Sequence, residues 1–407
     1  MSHSARISWM RHLAVAGLLA ALLTLADCGR PAAVTGQSGK NTPTPAPTFT
    51  AAPARPLEWQ ARTLPASVAN TYGALSFAPS PVDSALVWLC APQGSVAQVW
   101  VSHDRAATWQ RVSDVDAGGE VDACSVIPDD LDPATAVVET DLLQKGCCVL
   151  PPIPYALRVT RDSGHTWTAF RGPEKTLLQL ATYHGSVYAL FAPPFADMSP
   201  FQSHFVVSAD GLRTWRALDD RLATHGADPV DSYYVRRFWL NPATGAMLVY
   251  TATSVVWTDR FLASSDGGAT WQDLRAPQAD DFVVRTPFAA GPWEICGVRT
   301  SDSSFHPSWS NTMPCTLDGG ATWRTRTITP VGAAFAIAND GSVLGVNGST
   351  LMRLAPSGKD WESLGSLSAS YMPPNAYVAG SGNGVIWNVP GWGGSSNGTA
   401  ASFAIYA

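Results

Sequence analysis

The stretch SSDGGATW, Ser264 to Trp271, is one of five near-identical octets in a chain of 407 residues. The others are SHDRAATW (Ser102 to Trp109), TRDSGHTW (Thr160 to Trp167), SADGLRTW (Ser208 to Trp215) and TLDGGATW (Thr316 to Trp323). A decayed sixth copy, LAPSGKDW (Leu354 to Trp361), lacks the aspartate at its third position. The tryptophans at 109, 167, 215, 271, 323 and 361 stand roughly fifty residues apart, a period that marks a repeat architecture. No other feature restricts the possible folds so strongly.

Each residue type in the octet has a mechanical job. The carboxylates of Asp104, Asp162, Asp210, Asp266 and Asp318 can accept hydrogen bonds from backbone N–H groups just ahead, folding the chain into an Asx-type turn. Glycine at the next positions permits positive φ without steric cost. The threonine hydroxyl can close the loop, and Thr and Trp both suit the strand that follows. Each tryptophan then pins its hairpin to a neighbour. These residues are predicted to build the repeat, not to catalyse.

The octet resembles the Asp-box, or BNR repeat, of sialidases, sortilin-type receptors, certain xyloglucan-cleaving glycosidases and photosystem II assembly factors. The resemblance covers the chain from about Ala61 onward. It implies an all-β β-propeller with the box on the hairpin between the third and fourth strands of each blade, facing away from the ligand site. Short apolar or alternating runs around the boxes fit four strands per blade. Examples are ALSFAP (74–79), ALVWLC (85–90), QVWVSHD (98–104) and TWQRV (108–112) in the first blade. The third blade reads LLQLAT, SVYALFA, HFVVSAD and TWRAL, and the sixth AAFAIA, SVLGVN, TLMRLA and DWESL. After the sixth box three more strands fit: NAYVAG (375–380), VIWNVP (385–390) and SFAIYA (402–407). LEWQARTLP (57–65) resembles the strand that follows a box. The expectation is seven blades, the N-terminal strand completing the last one and removing exposed edges. Six blades is the alternative.

The N-terminus reads as an address. Arg6 and Arg11 precede an apolar run from Leu13 to Ala26, which fits a secretory signal over 1–27. LADC resembles a bacterial lipobox in which Cys28 becomes the lipidated first residue. Asp27 departs from that pattern, so an uncleaved anchor and ordinary signal cleavage stay open. Residues 28–55, rich in Pro, Thr and Ala, read as an extended tether. The propeller then occupies 56–407. The expected location is extracytoplasmic, on the membrane through an N-terminal lipid or secreted.

Lys and Arg total 26 against 32 Asp and Glu, net −6. Cleavage of the leader removes Arg6, Arg11 and Asp27 and leaves the chain one unit more negative. With only four lysines and scattered arginines there is no basic stripe, which argues against nucleic acid. Charged residues make up 14% of the chain, against roughly a quarter in average domains. Besides Cys28 there are six cysteines, an even number that favours disulfides in an exported chain. Cys296 and Cys315 fall on adjacent predicted strands and can bridge. Cys90 and Cys124 fall on neighbouring blades. Cys147 and Cys148 can form a vicinal bridge or split between partners. No CxxC pair or histidine cluster suggests zinc, and no cofactor is expected.

Recognition is predicted on loops opposite the boxes. Long candidates are 141–155, 192–204, 299–314, 390–402 and the inter-blade segment 219–234. Phe195, Phe201, Trp257, Phe305, Trp309 and Trp392 on or near them could form an aromatic rim for a glycan or protein. The competing reading folds them back onto the blade tops.

Sialidases grip a substrate carboxylate with three arginines and attack with a tyrosine activated by a glutamate. Their acid/base is an aspartate. Arg236, Arg237, Arg285 and Arg299 could be recruited, with Tyr233 or Tyr234 as nucleophile, and Asp231 is a further weak candidate. Their Arg-Ile-Pro motif has only Arg62-Thr63-Leu64-Pro65 as a stand-in. None of the six glutamates falls beside a tyrosine in an obvious loop position. Asp228, Asp231, Asp280, Asp281 and Asp302 supply raw material for a two-carboxylate glycosidase, but nothing selects a pair. Nucleophile-elbow, P-loop and HExxH signatures are absent. The sequence therefore favours a binding or assembly scaffold for a glycan or protein, with a sialidase-like or other glycosidase as the alternative.

Overall fold

A computed structural model describes residues 60–65, 67–68, 75–142, 155–174, 176–192, 203–219, 222, 233–253, 260–277, 279, 281–285, 292–298, 312–328, 333–338, 341–347, 349–366, 385–388 and 399–405. All lie within the compact unit Phe49–Ala407. The described residues are all-β and contain no regular helix.

β1 (Gln60–Thr63) comes first. The first four-stranded sheet is β2 (Ser76–Pro79), β3 (Val87–Gln93), β4 (Val96–Ser102) and β5 (Gln110–Asp116). The second is β6 (Val121–Pro128), β7 (Ala136–Leu142), β8 (Tyr155–Thr160) and β9 (Thr168–Phe170). The third is β10 (Thr176–Tyr183), β11 (Ser186–Ala192), β12 (His204–Ser208) and β13 (Arg216–Ala217). The fourth is β14 (Tyr233–Leu240), β15 (Met247–Thr253), β16 (Arg260–Ser264) and β17 (Gln272–Asp273). The fifth is β18 (Asp281–Arg285), β19 (Glu294–Val298), β20 (Thr312–Thr316) and β21 (Arg324–Thr327). The sixth is β22 (Ala333–Ile337), β23 (Val343–Asn347), β24 (Thr350–Leu354) and β25 (Trp361–Ser366). β26 (Val385–Asn388) and β27 (Thr399–Ile405) join β1 in a three-stranded sheet of order β1-β27-β26. The segment 375–380, expected as a further strand, lies outside the described residues.

Each four-stranded sheet is an antiparallel meander in chain order, and consecutive ones pack on a shared core. Trp88 and Val99 of the first sheet pack with Val126 and Val138 of the second. Leu157 meets Leu180 and Phe191 between the second and third, and Phe205 meets Phe238 and Val249 between the third and fourth. Phe261 meets Phe282 and Ile295 next, then Met313 meets Val343 and Leu354. The middle strands read as continuous apolar runs because alternate residues serve opposite cores. On β15, Val249 faces the third sheet while Leu248 and Tyr250 face the fifth. Sheets stacked face to face in chain order are the arrangement of propeller blades.

The boxes share one geometry. In SSDGGATW the Ser264 hydroxyl donates to Asp266 Oδ1 at 2.9 Å and accepts from the Gly268 N–H at 2.9 Å. The Thr270 N–H donates to Asp266 Oδ1 at 2.8 Å and its hydroxyl to Oδ2 at 2.6 Å. The threonine-to-aspartate pair recurs at Asp104, Asp162, Asp210 and Asp318. Both residues after each aspartate take positive φ, as at Gly267 (71°) and Gly268 (81°). At Gly268 a side chain would also meet Met247 Cε at 3.0 Å. Ala106 and Leu212 hold the same left-handed place without being glycine, so the turn outlasts the loss of its preferred residue.

The Thr166 and Thr270 hydroxyls, followed by the threonine N–H groups, hold Asp162 and Asp266 at about 2, below the ordinary 3.8. A depressed carboxylate pKa stabilises the fold above 3.8 and loses that contribution as pH falls through about 2. Replacing the buried Ser264 by alanine orphans the enclosed Gly268 N–H. The expected cost is about 1–3 kcal/mol, read as a lower urea midpoint at unchanged slope.

The tryptophans tie each hairpin to the sheet before it. Trp167 Nε1 donates to Ser113 Oγ on β5 at 2.7 Å, Trp215 to the Arg171 carbonyl at 2.8 Å and Trp323 to the Leu274 carbonyl at 3.0 Å. Trp109 reaches the Thr63 carbonyl of β1 at 3.0 Å. Only Trp271 among the box tryptophans is buried; the other five are half-buried because the indole lies along the junction. Disulfides join Cys90 of β3 to Cys124 of β6 and Cys296 of β19 to its register partner Cys315 of β20.

Candidate functional site

In a four-stranded meander the connection from second to third strand leaves at the end opposite the other two. The boxes lie between third and fourth strands, so the opposite end is formed by the second-to-third and inter-sheet connections. The long connections 143–154, 193–203 and 299–311 join second to third strands of their sheets, and 389–398 joins β26 to β27. The first sheet instead turns tightly between Gln93 and Val96.

Many of the expected site residues sit on these connections. Phe195, Phe201, Trp257, Phe305, Trp309, Trp392, Arg299, Asp231, Cys28, Cys147 and Cys148 lie outside the described residues, as do Asp228, Asp280 and Asp302. Tyr233 and Tyr234 begin β14, opposite Thr253 and Ala252 of β15.

The described arginines serve separate partners. Arg285 pairs with Glu294, its cross-strand neighbour in the fifth sheet. Arg236 is the extra residue of a bulge between Val235 and Arg237, exposed, with its guanidinium 5.9 Å from the centre of the Tyr250 ring. Arg237 sits 5.4 Å over the Trp239 ring. Arg62, the stand-in for the first sialidase arginine, donates Nε–H to the Arg105 carbonyl at 2.7 Å and ties β1 to the first box.

The structure also brings together a cluster that the sequence reading missed. Tyr155 opens β8, and its hydroxyl donates to the Glu174 carbonyl at 3.3 Å. Glu139 is buried on β7, where Oε2 accepts the Leu177 N–H at 3.1 Å. His204 stands between two carboxylates, with Nδ1 3.3 Å from Asp219 Oδ2 and Nε2 3.6 Å from Glu174 Oε1. Glutamates therefore do flank a tyrosine, correcting the expectation that none does. Nothing local in the sequence signals it, because residues 139 and 155 meet by strand pairing and 174 joins them from the connection between β9 and β10.

The chemistry of this tyrosine is that of a donor. Burial, then the negative charges of Glu174 and Glu139, push the Tyr155 phenol above its usual range, with Arg171 opposing. Among the described residues no three His, Cys, Asp or Glu side chains are grouped to hold a metal ion.

No family model matches the chain, and no curated protein does. Solved structures similar to it include the GH74 enzyme of Niastella koreensis, at 15% identity and TM-score 0.43, covering 72% of this chain and 47% of that one. The chain thus spans about half the length of that enzyme. YCF48 from Cyanidioschyzon merolae aligns at 14% identity and TM-score 0.42, over 86% of this chain and 98% of its own. The α-L-arabinofuranosidase Arb93A from Fusarium graminearum aligns at 10% identity and TM-score 0.41, over 86% and 98%.

Proposed function

We propose that the chain is an exported, membrane-anchored Asp-box β-propeller of seven blades. It displays the loops opposite its boxes to a glycan or protein partner and catalyses no reaction on it. The observation that carries this reading is the Arg285–Glu294 pair. A guanidinium whose charge is already balanced by its cross-strand carboxylate attracts a substrate carboxylate less strongly.

Closure of the ring is supported by β1 pairing with β27 and by the bonds from Trp109 to Thr63 and from Arg62 to Arg105. Export is supported by the leader, the tether and the two disulfides. Cys28 carries the lipid in this reading, and mass spectrometry of the mature N-terminus checks it.

The functional test is turnover of a fluorogenic sialoside beside a glycan-and-peptide array. The expected result is retention of a specific probe with no hydrolysis. Hydrolysis abolished by Arg236→Ala or Arg285→Ala would establish the glycosidase reading instead.

A further inference from the structure

The first strands of consecutive sheets touch: β2 meets β6, β6 meets β10, β10 meets β14 and β18 meets β22. They are the innermost strands of the propeller. Neighbouring sheets cover both faces of such a strand, and its second strand pairs with one edge. A side chain exposed on it therefore opens toward the axis or toward the end where the strand begins, which is the end opposite the boxes.

Three consecutive innermost strands carry a bulge within their first four residues. The extra residue is Asp122 between Val121 and Ala123 of β6, Leu178 between Leu177 and Gln179 of β10, and Arg236 between Val235 and Arg237 of β14. All three are exposed, while the residue before each is buried. An exposed leucine on an outer surface is ordinary, but Leu178 is 49% exposed on a strand packed from both sides. Bulges re-aim side chains in this way. β22 is bulged near its start too, between Ala334 and Ala336.

Gln179 fastens two of these segments together. Its Nε2 donates to the Phe238 carbonyl at 2.6 Å, and its Oε1 accepts the Phe238 N–H at 3.1 Å. A further bond from Nε2 to the Asp130 carboxyl group fixes the orientation of the amide. Leu178 and Arg236 are thus held as neighbours across β10 and β14. In order, the second, third and fourth sheets present a carboxylate, an aliphatic group and a guanidinium.

We propose that Asp122, Leu178 and Arg236 form a binding site for a short zwitterion, an ammonium and a carboxylate joined by an apolar stretch, as in a short peptide with free termini or an ω-amino carboxylate. The carboxylate pairs with Arg236, whose forked N–H groups match its two oxygens. The apolar stretch covers Leu178, and the ammonium meets Asp122. Opposite charges two sheets apart disfavour a ligand that carries the same charge at both ends. This site rests on the binding role proposed above and narrows its partner.

Calorimetric titration of the full-length protein with trileucine, ω-aminooctanoate, octanoate and octylamine tests it. The favoured zwitterion should bind about fivefold to tenfold tighter than either singly charged chain. Preference for trileucine identifies a peptide and preference for ω-aminooctanoate a free amino carboxylate; both support the site. Asp122→Asn should erase the advantage over octanoate, Arg236→Gln the advantage over octylamine, and Leu178→Ser should weaken every probe. Because all three side chains are exposed, these variants should keep the wild-type Tm. No binding of either zwitterion at about 10 mM, or binding that ignores Asp122 and Arg236, would overturn the site. Retention of a glycan on the array beside that failure separates the loss of this site from the loss of the binding role.

Discussion

Replacing Trp271 with alanine is expected to lower the unfolding free energy by about 3–5 kcal/mol, more than the same change at any other box tryptophan. Trp271 is 5% exposed and lies in the core between the third and fourth sheets, edge-on to Phe205 with ring centres 6.4 Å apart. Its neighbours are held in place by two sheets and cannot collapse into the space left behind. The other box indoles are half-buried and lose less apolar contact. Phenylalanine separates the two parts of the effect. Among the described residues Trp271 Nε1 has no hydrogen-bond partner, so Trp271→Phe loses ring volume and a buried unpaired donor but breaks no hydrogen bond. Trp215→Phe also leaves the Arg171 carbonyl without its donor. Guanidinium unfolding of Trp271→Ala, Trp271→Phe, Trp109→Ala and Trp215→Phe checks this order. If Trp109→Ala costs as much as Trp271→Ala, burial does not set the scale.

Removal of the Cys90–Cys124 disulfide should cost about 3–4 kcal/mol, on the loop-closure estimate for a separation of 34 residues. Both sulfurs lie in the core shared by the first and second sheets, where the bond is a covalent tie between sheets. Cys296–Cys315 closes only 19 residues and joins two strands already paired in register. Calorimetry of Cys90→Ala/Cys124→Ala and Cys296→Ala/Cys315→Ala should give the lower Tm to the first pair. Equal losses would mean that loop length and core position do not matter here.

What could be read from the sequence divides along the range of the interactions. The octet encodes a local turn, so its bonds were foreseeable from Asp, Gly and Thr alone, and they form as expected. Strand positions followed for the same reason: SVYALFA is β11 from first residue to last. HFVVSAD overran, because its last two residues already belong to the turn. The inter-sheet bonds of the indoles, the Gln179–Phe238 pairing and the Arg285–Glu294 ion pair depend on which strands become neighbours. No spacing in the chain announces them. The bulge at Arg236 is equally silent in sequence, yet bulges re-aim side chains and are common beside functional sites. The Tyr155 cluster was hidden because Glu139 comes from β7 and Glu174 from the connection between β9 and β10.

The pairing of Gln60 with Phe403 gives the molecule a chronology. Among the described strands, the first in chain order docks on the last. Six sheets can be assembled while β1 still waits, and every contact that β1 makes with β27 spans nearly the whole polypeptide, the slowest kind to form. A chain cut short after β25 would carry β1 as an unmated edge, open to pairing with another molecule. Formation of β27 is then also the event that covers β1.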